Sequence, residues 1–181
     1  MAIETTTPTI PAGTWAIDPE HTTVGFSVRH AGVSNVRGRF RSFEGTLEAG
    51  DEVRAAGSVE LTSVDTGVAQ RDDHLRSEDF FACDRFPRMT FVSRSVRIED
   101  GEVEVAGELT LRGVTNELVL RGELGGVIVD ADGLTRVGPE LTGQLSRAAF
   151  GMRFNHALGG GNMLVGDRVK LAIEVSATLQ S

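Results

Sequence analysis

Tyrosine is absent from this chain of 181 residues, and cysteine and tryptophan occur once each. A lone Cys83 excludes an intrachain disulfide and suits a reducing compartment, so a cytoplasmic location is expected. The four histidines, His21, His30, His74 and His156, have no partner at metal-binding spacing, and there is no CxxC. No metal and no cofactor are therefore expected. Apolar runs long enough to cross a bilayer are missing too, so stable membrane insertion is not expected. The Thr- and Pro-rich start has neither a basic segment nor an apolar run of signal-peptide length. Residues 1–12 are read as a disordered tail and residues 13–181 as one β-barrel domain. Basic residues are scattered and outnumbered by acidic ones, for a net charge of −8, which leaves no nucleic-acid footprint. G-x-S-x-G is absent and no oxyanion loop is evident, so no catalytic residue is assigned.

What the chain does have is two-residue alternation. Val24, Phe26 and Val28 alternate with Thr23, Gly25, Ser27 and Arg29. Val169, Leu171, Ile173 and Val175 repeat the pattern near the C-terminus. This is the signature of strands with one dry face. Asp100-Gly101, Asp132-Gly133 and Gly166-Asp167 supply turns between them. About eight long antiparallel strands result, and a sheet of that size with one dry face must close on itself or meet a second sheet. Parity flips within residues 36–48, where Phe40 is even but Phe43, Gly45 and Leu47 are odd, which predicts a bulge near Ser42. The expected fold is all-β: an eight-stranded antiparallel barrel with one short helix over residues 68–76 and a lid loop. Gly38, Gly45 and Gly107 are expected to leave space inside it.

One segment breaks the pattern. Residues 71–91 are first charged and then aromatic, and they hold Phe80, Phe81, Phe86 and Phe91, four of nine phenylalanines. Rings concentrated in a connection need something to cover. The segment reads as a lid over an apolar interior, and an eight-stranded barrel is just wide enough to hold one small ligand. The ligand-contacting set expected from this is Phe26, Val28, Phe40, Phe43, Leu75, Phe80, Phe81, Phe86, Met89, Phe91, Phe150, Met152 and Phe154. Phe and Met together make a deformable apolar wall. His74, Arg76, Ser77 and Asp79 allow two readings: polar contacts to a ligand head group, or a hydrogen-bond network that fixes the helix end. Spacing favours the network. Arg37, Arg39 and Arg41 share one strand face and read as solvated.

The ordered motifs Trp15-x-Ile17-Asp18-x-x-His21, Phe26-x-Val28-x-His30, Arg71-Asp72-x-His74-Leu75-Arg76-Ser77-x-Asp79-Phe80-Phe81 and Phe86-Pro87-x-Met89-Thr90-Phe91 resemble the YceI-like, polyisoprenoid-binding family. Gly107-x-Leu109-Thr110-Leu111 and Phe150-Gly151 extend the resemblance over about residues 14–179. It implies a lipocalin-like barrel that sequesters or transports a long apolar molecule, such as a polyisoprenoid, a quinone precursor or a fatty-acyl amide. It also implies a homodimer and no known chemistry. Two alternatives stay open: a barrel enzyme with His74 and Asp79 as acid–base groups, and a structural barrel with a filled core.

Overall fold

The computed structural model describes residues 10–160 and 163–181. Its fourteen β segments lie in one antiparallel sheet. They are β1 (Gly13–Ile17), β2 (Thr23–His30), β3 (Ser34–Phe40), β4 (Phe43–Ala49), β5 (Val53–Glu60), β6 (Val64–Asp65) and β7 (Arg88–Glu99). Then come β8 (Glu102–Leu111), β9 (Val114–Glu123), β10 (Val127–Val129), β11 (Thr135–Val137), β12 (Glu140–Ser146), β13 (Val165–Glu174) and β14 (Ala177–Leu179). The count exceeds eight because most long strands break where they bend. β1 runs into β2, β3 into β4, β5 into β6, β9 into β10, β11 into β12 and β13 into β14. With β7 and β8 intact, eight bent strands follow one another round the ring.

Closure is visible in the pairings. β3 pairs with β2 and β6, while its continuation β4 pairs with β1 and β5. The order that ends at β3 and β6 thus returns, through the bends into β4 and β5, to its own middle, and the strands form a ring. A barrel without free edges satisfies the backbone groups an open sheet would expose. The parity flip has its cause at the same place: β3 ends at Phe40 and β4 begins at Phe43. There the Arg41 amide donates to the Ser63 carbonyl at 3.2 Å and the Glu60 amide to the Ser42 carbonyl at 2.9 Å.

Tight turns follow their sequence signals. Asp100 and Gly101, between β7 and β8, have φ of 52° and 81°; both values are positive, as a type I′ hairpin turn requires. The three glycines expected to leave space do not. A Cβ on Gly38 would collide with the Phe26 ring and one on Gly45 with Ile17, while one on Gly107 would meet Phe91 Cζ at 2.6 Å. Absence of a side chain lets a neighbour lie across the strand, so these sites are filled.

One end of the barrel is sealed. Trp15, Leu124 and Val137 are buried there, and Trp15 Nε1 donates to the Pro11 carbonyl at 3.0 Å. Residues 1–9 of the expected tail lie outside the described residues, and Ile10 packs on the core. Near this end Arg136 bridges two elements, with Nη1 on Asp18 Oδ2 at 2.8 Å and Nε on Asp130, while His21 Nδ1 meets Asp18 Oδ2 at 2.8 Å. Arg136 first and His21 second hold the Asp18 carboxyl at about 2, below its ordinary value near 3.8. A depressed carboxyl adds stability that is complete above its unfolded pKa and is lost as pH falls through the folded one. Urea denaturation of the wild type should therefore lose stability between about pH 4 and pH 2. Arg136→Met should flatten that interval; an unchanged slope would mean the bridge does not couple to folding.

The other end is covered. Helix α1 (Ala69–Arg76) and the aromatic segment after it lie across it, and no helix among the described residues is long and apolar enough to span a membrane.

Candidate functional site

Two connected apolar chambers occupy the barrel. The upper, beneath α1, has a volume of about 450 Å³. The lower, toward the sealed end, has about 220 Å³. Phe40, Met89, Leu145 and Leu171 border both and form the neck between them. Volumes of this order are those of small-molecule sites.

Of the residues expected to contact a ligand, Phe26, Val28, Phe40, Leu75, Phe80, Phe81, Met89, Met152 and Phe154 line the upper chamber. Phe43 and Phe91 line the lower one, with Phe40 and Met89. Phe86 and Phe150 reach neither. Gly113, at a φ of 73°, lets the Phe86 ring sit against its Cα, with the Arg85 guanidinium 5.0 Å from the ring centroid on the outside. Phe150 ends a short 3₁₀ turn and is buried in the core. Phe86 was expected to face inward as part of the lid and Phe150 as one of the cavity aromatics, but both lie outside the strands, where no period fixes the side of the chain a ring faces.

The polar quartet separates in the same way. His74 lines the upper chamber, wedged edge-on between the rings of Phe80 and Phe154 at 5.0 and 4.8 Å. Its Nε2 lies 2.8 Å from Asp79 Oδ2. Arg76, Ser77 and Asp79 do not line a chamber. Arg76 donates to the carbonyls of Thr62 and Val64 at 2.9 and 3.3 Å, pinning α1 to the barrel. Ser77 Oγ donates to the His74 carbonyl at 2.6 Å and closes the helix end. Backbone bonds then wind the chain so that Phe80 and Phe81 face inward: the Phe81 amide to Leu75 O at 2.9 Å and the Cys83 amide to Arg76 O at 3.0 Å. The hydrogen-bond network is thus the arrangement of Arg76 and Ser77. Arg39 and Arg41 pair with Asp65.

Reading the sequence alone left Leu145, Leu164, Arg71, Arg147, His30 and His156 out of the lining. His30 followed an alternation already recognised and could have been found by extending it one step. Arg147 had no such signal. It is 5% exposed, and its guanidinium donates to the carbonyls of Gly166, Met152, Phe154 and Val165 at 2.8–3.1 Å. It organises the loop between β12 and β13 round the upper chamber. Burial pulls its pKa down, opposed by the charge of Asp167. Cys83 is buried, and desolvation pushes its thiol pKa up, so it is a packing residue and not a nucleophile.

Residues 15–177 match the YceI-like domain family. A UPF0312 protein of Staphylococcus aureus strain USA300 is 35% identical over 161 residues, covering 86% of this chain and 92% of the relative. Among solved structures, the YceI protein of Campylobacter jejuni is 29% identical with a TM-score of 0.73, over 84% of this chain and 90% of its own. A polyisoprenoid-binding domain from Saccharophagus degradans has a TM-score of 0.72 at 14% identity, over 92% of this chain and 98% of its own, a likeness of fold.

Proposed function

The chain belongs to the YceI-like domain family, and from that membership and its interior we propose that it binds a long-chain apolar small molecule inside the barrel, to sequester or transport it. Polyisoprenoids, quinone precursors and fatty-acyl amides are the candidate class. The observation that carries the reading is the pair of chambers, about 450 and 220 Å³, joined through Phe40, Met89, Leu145 and Leu171. A jigsaw-packed core leaves few voids larger than a water, so space of this size speaks against a barrel that is only structural. The description of the Saccharophagus degradans neighbour as polyisoprenoid-binding supports the ligand class. Each methylene moved from water into such a site contributes about 0.8 kcal/mol.

The contacts belong to the same proposal. Phe26, Val28, Leu75, Phe80, Phe81, Met152 and Phe154 enclose the first part of the chain, and Phe43 and Phe91 receive its far end. No catalytic step is invoked: His74 and Asp79 hydrogen-bond to each other beside the aromatic rings and hold the cover. Cytoplasmic location is supported by the free, buried Cys83 and is tested by cell fractionation. A homodimer, implied by family resemblance, is tested by the mass in solution.

Native mass spectrometry of gently purified protein, followed by organic extraction, tests the central claim. The expected result is a bound apolar molecule, or stoichiometric uptake of an added prenyl or acyl probe. Protein that carries nothing and takes up no probe of any chain length would refute the carrier.

A further inference from the structure

We propose that the chain held in the barrel ends in an acidic head group, a carboxylate or a phosphate, received at the mouth by Arg71. This rests on the carrier reading above and adds the chemistry of the ligand's polar end.

The observation is the composition of the upper chamber's wall. Six of its lining residues are polar, and all six are basic: Arg29, His30, Arg71, His74, Arg147 and His156. No aspartate or glutamate is among them, although acidic residues outnumber lysine and arginine in the chain by 26 to 18. The lower chamber has a single charged residue at its border, Glu44. Positive groups are therefore gathered at the end where a ligand's head would remain.

The three arginines on this wall, Arg29, Arg71 and Arg147, also lack a carboxylate partner among the described residues, as do Arg37, Arg97, Arg112, Arg153 and Arg168 elsewhere in the chain, whereas nine arginines are paired. Arg29 donates to the Gly32 carbonyl at 2.8 Å on the exposed rim. Arg147 spends its donors on four carbonyls and keeps its charge.

Arg71 is the residue built for contact. Its Nε donates to Thr66 Oγ1 at 2.7 Å and its Nη2 to the Thr66 carbonyl at 2.8 Å. Thr66 is itself oriented, with Oγ1 donating to Asp72 Oδ1 at 2.6 Å. The half-buried guanidinium is thus held from one side, and Nη1 has no protein partner among the described residues. A planar fork fixed this way suits the two oxygens of a carboxylate or phosphate. The carboxylates near the mouth are engaged behind the wall: Asp72 with Thr66, Asp79 with His74, and Asp167 with Ser146 Oγ and the Ala148 amide. A neutral head would leave the positive groups without an anion in a partly dry site, whereas an anion gains charge-assisted hydrogen bonds there.

The test uses the full chain and one hydrocarbon tail with different heads. Oleate, oleyl phosphate, oleamide and oleyl alcohol compete at pH 8 against a fluorescent acyl probe. Oleate and oleyl phosphate should bind at least tenfold more tightly than oleamide or the alcohol. Arg71→Gln should bring the oleate-to-oleamide ratio to within about threefold. Inorganic phosphate alone should displace nothing, because the tail supplies most of the affinity. Equal binding of acidic and neutral heads overturns the inference and leaves the carrier standing. Failure of all four tails to bind refutes the carrier itself. An unchanged ratio in Arg71→Gln, or displacement by phosphate alone, overturns the assignment to Arg71. Should the variant fail to fold, the ratio in the wild type decides.

Discussion

Leu145→Trp should abolish high-affinity binding of long chains while leaving the barrel folded. Leu145 lies on β12 at the neck, beside Phe40, Met89 and Leu171, where the two chambers meet. A tryptophan there projects an indole into space that the wild type leaves open. In a filled core that substitution would force off-rotamer side chains and cost about 1–3 kcal/mol; in a cavity the added ring finds room. The melting temperature should therefore stay level or rise. Tails that must thread from the upper chamber into the lower lose their far contacts. Their affinity should fall tenfold or more, at least about 1.4 kcal/mol. Short tails that end in the upper chamber should keep most of theirs. Titration of fluorescent acyl probes of graded length would read both effects. Equal loss at every length would mean the neck is not a passage, and a large drop in melting temperature would mean the site is packed core.

Arg147→Met should cost more in stability than any other single substitution considered for this chain. Methionine matches much of the length and keeps the apolar contacts, but it removes every donor. The carbonyls of Met152, Phe154 and Gly166 then lose their side-chain partner, and that of Val165 keeps only the Asn155 side-chain amide at 2.7 Å. Each buried polar group left unsatisfied costs about 1–3 kcal/mol, offset where the loop can open to water. A net loss of about 3–5 kcal/mol is expected, or roughly 6–20 °C in Tm for a domain of this size. The loop between β12 and β13 should become protease-sensitive first, because the arginine joins Met152 and Phe154 at its start to Val165 and Gly166 at its end. Arg147→Lys should recover only part of the loss, since a point charge cannot serve four carbonyls at once. Calorimetry with limited proteolysis would check both; a shift of less than 2 °C would mean the carbonyls find water without penalty.

Legibility differed from element to element for physical reasons. Strand periodicity is local, so alternation through Val24, Phe26 and Val28 placed β2, and Asp100-Gly101 marked a turn, with no knowledge of partners. The short helix fell within a residue of its predicted span, 69–76 against 68–76. Strand interruptions were harder. The one at residues 41–42 showed as a parity flip and the one after Ile17 as the polar run from Asp18 to Thr22, whereas the one after Val137 keeps odd parity from Val137 to Leu141 and Leu145 and left no mark. Glycine was misread because its effect depends on what lies opposite: Gly38 admits the Phe26 ring from the neighbouring strand, and no property of Gly38 announces it.

The candidate site divides along the same line. Its apolar wall was largely readable, because a residue's parity on a strand decides whether it faces inward. Phe86 and Phe150 escaped that rule because they lie in connections, where no fixed period assigns a face. The amino-acid sequence by itself determined an antiparallel β fold, its family, a single short helix and an aromatic segment in need of cover. Only the tertiary structure decided that the eight bent strands close, that two chambers remain inside, and that every polar group on the upper wall is basic. Those properties arise from residues far apart in the chain, such as Arg71 and Arg147, and depend on which groups neutralise each charge. Spacing along a chain records neither distance nor partner; folding supplies both.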